Sequence, residues 1–158
     1  MLWRRKRPSG EPFFRAEPPG HVTLVTLGYV HNAVTKPRPG GWAGVESTIV
    51  FGLEFEPMLA RLDAYSHVIV TFYLDLAEAA PEKPEEVTLK SGRRYGILAT
   101  RSQLRPNHLG VSAVRLLEVQ GANVRVLGLD AIDGTPVLDI KPYLPEYDAH
   151  SSATIPRE

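Results

Sequence analysis

Short runs of β-branched and aromatic residues recur along the chain at the spacing of hairpins, and this pattern restricts the fold more than any other feature. Turn-forming residues separate the runs, as they do between consecutive antiparallel strands. The predicted strands are His21–His31, Glu46–Phe51, Ser66–Leu74, Tyr95–Thr100, Val111–Val119, Asn123–Leu129 and Val137–Ile140. One segment, Phe55–Leu62, has apolar residues at helical spacing. The sequence predicts a mainly β fold, a small single-domain antiparallel β-barrel with one or two short helices.

The 158 residues are enough for one domain with a proper core. Residues 1–20 hold five bases, two acids and four prolines, so we expect a flexible, basic tail there. The barrel is predicted over residues 21–147, and residues 148–158 form a C-terminal tail. Arg4–Arg7 can contact RNA phosphates or stay solvated, and both interpretations remain open. No apolar run approaches the roughly 18 residues of a membrane span, so we expect a cytoplasmic protein.

Several common kinds of site are absent from the sequence. The chain has no cysteine, and its five histidines show no spacing typical of metal ligands, so we expect no metal site. It also lacks the glycine-rich dinucleotide fingerprint, the phosphate-binding P-loop and the nucleophile elbow of hydrolases. The chemistry must therefore come from other polar clusters.

The first such cluster follows the predicted strand Tyr95–Thr100. Arg101, Arg105, Asn107 and His108 lie within eight residues, and Pro106 favours an extended backbone at Arg105. Guanidinium groups suit carboxylates or phosphates. We expect Arg105 to lie on the exposed half of this loop and to bind an anionic ligand group.

The second cluster consists of carboxylates at predicted strand ends and turns. Its members are Asp75, Asp130, Asp133 and Asp139. Together with the arginine loop they suit a ligand that carries both charge signs. The alternative is that Asp133-Gly134 forms only a type I′ turn and that Arg101 pairs internally with Asp139.

Two motifs resemble the signatures of the tRNA methyltransferase O family, whose members are also called TsaA-like or YaeB-like. They are Ala-Thr-Arg-Ser-x-x-Arg-Pro-Asn over Ala99–Asn107 and Asp-Gly-Thr-Pro-Val-Leu-Asp-Ile-Lys-Pro-Tyr over Asp133–Tyr143. Leu27–Val30 and Tyr65–His67 extend the resemblance, which covers about residues 24–147.

The resemblance implies a small β-barrel that binds S-adenosylmethionine near a homodimer interface. It further implies methyl transfer to the exocyclic nitrogen of threonylcarbamoyl-adenosine beside the anticodon of tRNA. By position, the implied cofactor residues are Pro39, Gly40, Gly41, Asp75, Leu76, Arg101, Leu109, Asp130, Ala131, Ile132, Asp133 and Gly134. Arg105, Asn107 and Lys141 are implied to bind the RNA or orient the acceptor. Asp133, Arg105 and Asn107 are the expected catalytic residues.

The chain differs from the family pattern at several places. The family usually has proline at the position of His108 and histidine at the position of Asp75, and its loop over residues 35–44 is longer. Larger relatives carry a further C-terminal domain. A general base would help the acceptor nitrogen lose its proton, and Asp133, Asp75 and His108 are all candidates. Two other functions stay open: methylation of a small molecule, and a non-catalytic barrel that binds the cofactor or RNA.

Overall fold

The computed structural model describes residues 19–80 and 84–156, so nearly all of the predicted tail 1–20 lies outside the described residues. These residues contain eight strands, and six of the strands form a closed antiparallel barrel. The strands are β1 (Gly28–His31), β2 (Glu46–Phe51), β3 (His67–Tyr73), β4 (Glu86–Thr88), β5 (Arg94–Gly96), β6 (Leu109–Gln120), β7 (Asn123–Leu127) and β8 (Pro136–Pro142). The barrel order is β1-β2-β7-β6-β3-β8, and β8 pairs with β1 to close it. The predicted barrel is confirmed.

The barrel core follows from the two-residue period of the strands. In β3, Val68, Val70 and Phe72 are buried and alternate with more exposed residues. Val68 faces Val114 of β6 across the register, and Phe72 faces Gly110. Since alternate side chains of a strand point to the same face, one face of each strand fills the barrel.

Gly110 lets the barrel close around a large aromatic ring. A Cβ atom at this position would lie 2.2 Å from a ring atom of Phe72, well inside van der Waals contact. Glycine is therefore required here for close approach, as is common at tight points of barrels. Phe72 and Gly110 both line the cavity described below.

The prediction that Tyr95–Thr100 is a buried core strand is wrong. Only Arg94–Gly96 is extended, and it pairs with β4 in a separate two-stranded hairpin. The chain then forms a 3-10 helix over Ile97–Ala99, of which Ile97 is the buried residue. Strand β5 pairs with the preceding strand β4 because the chain reverses direction at Gly92, whose φ of 81° glycine adopts without strain.

Two further boundaries differ from prediction. The first strand begins at Gly28 and not at His21. The segment Phe55–Leu62 is not an α-helix but lies across two 3-10 helices, Leu53–Leu59 and Leu62–Ala64, the first of which contains Pro57. Proline removes one backbone donor and so interrupts a regular α-helical ladder. The described part of the chain also contains two short α-helices, α1 (Asp75–Glu78) and α2 (Pro145–Asp148).

Candidate active site

A cavity of about 650 Å³ lies at one end of the barrel. Four segments line it: the loop after β1, the end of β3 with α1, the loop before β6 with the start of β6, and the connection from β7 to β8. In a closed antiparallel barrel of this order, these connections all emerge at the same end. The volume falls within the range of about 300–1,000 Å³ typical of small-molecule sites.

The connection from β7 to β8 is fixed by Asn32, just after β1. The Asn32 amide donates to the Ala131 carbonyl and to Ser47 Oγ, both at 2.9 Å. The backbone N–H of Asp133 donates to the Val34 carbonyl at 2.8 Å. These bonds hold the turn rigidly against β1 and β2, so its cavity-facing residues are preorganised.

The same turn is not of type I′, because Gly134 has φ 84° whereas Asp133 keeps a negative φ. The Asp133 carboxylate instead accepts a bond from the Asn32 backbone N–H at 3.2 Å. The alternative that Arg101 pairs with Asp139 is also wrong, since Asp139 pairs with Lys141 on β8. Arg101 donates from Nη2 to the Val111 carbonyl at 2.8 Å.

Asp130 is the carboxylate of this turn that reaches the cavity. Ser112, a buried residue of β6, donates its hydroxyl hydrogen to Asp130 Oδ1. A buried hydroxyl that is bonded in this way fixes the orientation of the carboxylate. Ser112 is thus a positioning residue that sequence reasoning missed, although it lies three residues after the predicted contact Leu109.

The loop 100–108 is folded on itself by its own polar groups. Arg105 donates from Nη2 to the Thr100 carbonyl at 2.6 Å and from Nε to the Ser102 carbonyl at 3.1 Å. The Thr100 hydroxyl donates to the Ile97 carbonyl at 2.8 Å. The expectation that Arg105 lies on the exposed half of the loop is therefore wrong: it is half-buried, braces the loop and lines the cavity.

His108 ends this loop in a left-handed conformation with φ 49°. Its ring is buried, and its Nδ1 lies 3.2 Å from the Gln103 carbonyl, which can only accept, so Nδ1 carries the hydrogen. The ring packs edge-on against Tyr73 with 6.2 Å between centroids. His108 is absent from the cavity lining, so this geometry favours a role in loop structure over that of a general base.

Tyr73 and α1 form a small acidic neighbourhood at the end of β3. A hydrogen bond to Glu78 raises the pKa of the Tyr73 phenol above its usual value of 10.0, and burial and the charges of Glu78 and Asp75 act in the same direction. Asp75 itself lines the cavity.

The loop after β1 contributes a cation and an aromatic ring. The Arg38 guanidinium carbon lies 4.5 Å from the centroid of the Trp42 ring, and its Nη2 donates to the Gly41 carbonyl at 2.6 Å. Both side chains line the cavity. Sequence reasoning selected the glycines of this loop and missed its tryptophan, although an aromatic residue within a Pro/Gly loop is a signal for ligand contact.

The predicted site residues divide between the cavity and its surroundings. The predicted cofactor residues that line the cavity are Pro39, Asp75, Leu76, Arg101, Leu109, Asp130, Ala131 and Ile132. Gly40, Gly41, Asp133 and Gly134 belong to the same loops but lie outside the lining. Of the predicted acceptor residues, Arg105 lines the cavity, and Asn107 and Lys141 do not.

Charged groups of both signs meet in the cavity. Three arginines (Arg38, Arg101 and Arg105) and two aspartates (Asp75 and Asp130) line it. Within residues 19–80 and 84–156, no cluster of three or more histidine, aspartate or glutamate side chains is arranged to hold a metal ion. No helix in this part of the chain has the length and apolar character needed to cross a membrane.

Comparison with known proteins finds a matching family model and several relatives. The family model described as the tRNA-methyltransferase O N-terminal domain matches residues 29–149. A probable S-adenosyl-L-methionine-binding protein of Pyrococcus abyssi is 32% identical over 139 residues, which are 82% of this chain and 72% of the relative. A human tRNA (adenine(37)-N6)-methyltransferase is 37% identical over 105 residues, but these are 64% of this chain and 23% of the human protein.

A solved structure has the same fold. The crystal structure of TrmO from Pseudomonas aeruginosa matches with a TM-score of 0.67 and 30% sequence identity, over 85% of this chain and 61% of that chain. The chain thus spans less than two thirds of the solved protein and about a quarter of the human enzyme.

Proposed function

Because the chain belongs to the tRNA methyltransferase O family, we propose that it is an S-adenosylmethionine-dependent methyltransferase acting on tRNA. The proposed acceptor is the exocyclic nitrogen of threonylcarbamoyl-adenosine beside the anticodon. One observation carries the proposal: the cavity at the barrel end is lined by residues of both signature motifs. Arg101 and Arg105 come from the first motif and Thr135 from the second.

The cavity fits S-adenosylmethionine in size and in charge. The cofactor carries a sulfonium, an ammonium and a carboxylate, and the lining offers two aspartates and three arginines within about 650 Å³. We propose that Asp130, held by Ser112, accepts hydrogen bonds from the positive end and that Arg101 faces the carboxylate. Arg101 uses one Nη2 hydrogen for Val111, which leaves the rest of its planar fork for a ligand.

When bound, S-adenosylmethionine supplies an electrophilic methyl group. The protein then has to orient the acceptor nitrogen in line with that group, which lowers the barrier by positioning. The acceptor nitrogen must also lose its proton. We propose Asp75 as the proton acceptor, because it lines the cavity and Asp133 and His108 do not. A positioned base of this kind contributes about 10²–10⁴-fold to the rate.

Two residues predicted to bind RNA lie outside the cavity. Asn107 is exposed on the loop beside Arg105, and Lys141 is exposed on β8, where it pairs with Asp139. We keep both as proposed contacts of the tRNA rather than of the reacting base. Phosphate contacts of this type position nucleic acid without reading its sequence.

We also propose that the protein works as a twofold-symmetric homodimer in the cytoplasm. Three apolar side chains on the cavity lining, Leu76, Leu98 and Val111, are 57%, 71% and 47% exposed. A second copy that covers them would remove this apolar surface from water. Light scattering in the presence of S-adenosylhomocysteine should give twice the mass of the chain, and a monomer mass would contradict the dimer.

The acceptor is tested with tRNA from cells that lack the methyl modification. After incubation with S-adenosylmethionine, nucleoside mass spectrometry should find one added methyl group on threonylcarbamoyl-adenosine. The control is the same tRNA without its threonylcarbamoyl group, which should gain none. Equal methylation of both substrates would contradict the proposed acceptor. Cofactor binding without transfer to either would favour the non-catalytic binder or a small-molecule acceptor.

A further inference from the structure

We propose that Trp42 is the wall of the cavity against which an adenine ring stacks. The inference rests on the proposed function, in which two adenine rings take part, one in the cofactor and one in the tRNA. It goes beyond that function because it assigns the recognition of the flat base to one side chain of the loop after β1.

Trp42 is held in place by its own loop. The residue is half-buried and lines the cavity, and its carbonyl accepts the Val45 N–H at 2.9 Å. Gly41, immediately before it, has φ 79°, which glycine adopts without strain. A tryptophan on a turn with these constraints presents a large rigid surface at low entropic cost.

Arg38 covers one face of the indole, which leaves the opposite face for a flat ring. Its guanidinium carbon lies 4.5 Å from the ring centroid, and its bond to the Gly41 carbonyl, 2.6 Å long, keeps it there. This cation already uses the attraction of the π-system. A second cation on the same ring, such as a sulfonium, would be repelled by Arg38, whereas a neutral planar base would not. The ring is therefore suited to stack on a base.

The neighbourhood of Trp42 also suits a nucleoside. Pro37 and Pro39 flank Arg38 on the lining, and the cations Arg101 and Arg105 line the same cavity and can bind anionic groups. Aromatic stacking platforms next to arginines are the usual device for holding unpaired bases. Both adenine sources share this chemistry, so the experiment has to distinguish them.

The first measurement uses the fluorescence of Trp42. The chain has two tryptophans, so the variant Trp3→Phe leaves Trp42 as the only tryptophan, whose emission is excited apart from that of the tyrosines. If the cofactor supplies the ring, S-adenosylhomocysteine and adenosine quench the emission saturably and methionine does not. If the acceptor supplies it, quenching requires an anticodon stem-loop RNA with adenine at the target position, and an otherwise identical RNA that is abasic there does not quench. No change with any of these probes overturns the inference.

The second measurement is the affinity of Trp42→Ala and Trp42→Phe by calorimetry, with both probes. Loss of a base-stacking contact predicts an affinity about 5- to 150-fold weaker for Trp42→Ala with the probe that quenched, and a much smaller change for Trp42→Phe. Tyr147→Ala, which removes an exposed aromatic side chain of α2 away from the cavity, is the matched control and should bind as wild type. Melting temperatures of all variants without ligand should agree, since Trp42 lies in a loop outside the core.

The two proposals fail in different ways. If wild-type protein binds S-adenosylhomocysteine and Trp42→Ala binds each probe with the affinity of wild type, the inference is wrong and the proposed function stands. If wild-type protein binds neither S-adenosylhomocysteine nor RNA, both are wrong.

Discussion

Replacing Arg105 tests whether this side chain braces its loop or only contacts the acceptor. Its guanidinium donates to two backbone carbonyls, those of Thr100 and Ser102. A charge-assisted hydrogen bond to a shielded carbonyl contributes about 1.5–3 kcal/mol to the free energy of unfolding. Because Arg105 is only half-buried, we assign roughly half of that contribution to each of its two bonds. Arg105→Ala should therefore lower the free energy of unfolding by about 1.5–3 kcal/mol if the loop and barrel unfold together.

The corresponding fall in melting temperature is about 3–12 °C, since 1 kcal/mol shifts a domain of this length by roughly 2–4 °C. Arg105→Lys keeps the charge, but a single ammonium does not reproduce the planar fork, so we expect about half of the loss. If the loop opens separately from the barrel, the loss appears instead as faster amide hydrogen exchange at Ser102, Leu104 and His108. Affinity for S-adenosylhomocysteine should weaken as well, because the loop forms one wall of the cavity.

The control is Arg115→Ala, an exposed arginine of β6 outside the cavity lining, whose melting temperature should match wild type. The bracing role of Arg105 is contradicted if Arg105→Ala leaves melting, exchange and cofactor affinity unchanged and reduces only methyl transfer. In that case Arg105 acts on the acceptor directly and the loop does not depend on its bonds.

Four other predictions concern single residues. Ser112→Ala frees the Asp130 carboxylate and should weaken S-adenosylhomocysteine binding about two- to tenfold by calorimetry, with little change in melting. The pKa of the Tyr73 phenol is raised in the folded state, so its contribution to stability is complete below pH 10.0 and is lost as the pH rises through the folded-state pKa. Between about pH 9 and about pH 11, Tyr73→Phe should therefore lose less stability than wild type in thermal melts. Glu78→Gln should lower the pH at which the Tyr73 phenol ionises, as measured by ultraviolet titration. Gly28→Ala should destabilise the barrel by about 1–3 kcal/mol in urea melts, because its Cβ would lie 2.3 Å from a β2 carbonyl oxygen.

The sequence was sufficient to predict the barrel because its β-forming runs recur at hairpin spacing with turn-forming residues between them. In β7 the buried residues Val124 and Val126 alternate with the exposed residues Asn123 and Arg125. The stretch Tyr95–Thr100 misled the prediction because a short apolar run does not reveal its partner. Its partner is the charged strand β4, which has no apolar pattern to predict it.

The site was predictable at the level of segments and much less at the level of side chains. Arg101 belongs to the first motif, whereas Asp75 and Asp130 were expected by position from the family resemblance, and all three line the cavity. The inward turn of Arg105 depends on the loop conformation, including φ 49° at His108, which no sequence pattern encodes. The same holds for the stacking of Arg38 on Trp42.

The central claim, that the cavity at the barrel end holds S-adenosylmethionine, is tested most directly by calorimetry with S-adenosylhomocysteine on wild type and Asp130→Asn. We expect one saturable site per chain in wild type and roughly 10- to 100-fold weaker binding in Asp130→Asn, because a charge-assisted hydrogen bond is lost. Asp139→Asn removes a carboxylate outside the cavity lining and should bind as wild type. Absence of binding in wild type, or equal affinity in wild type and Asp130→Asn, would contradict the claim.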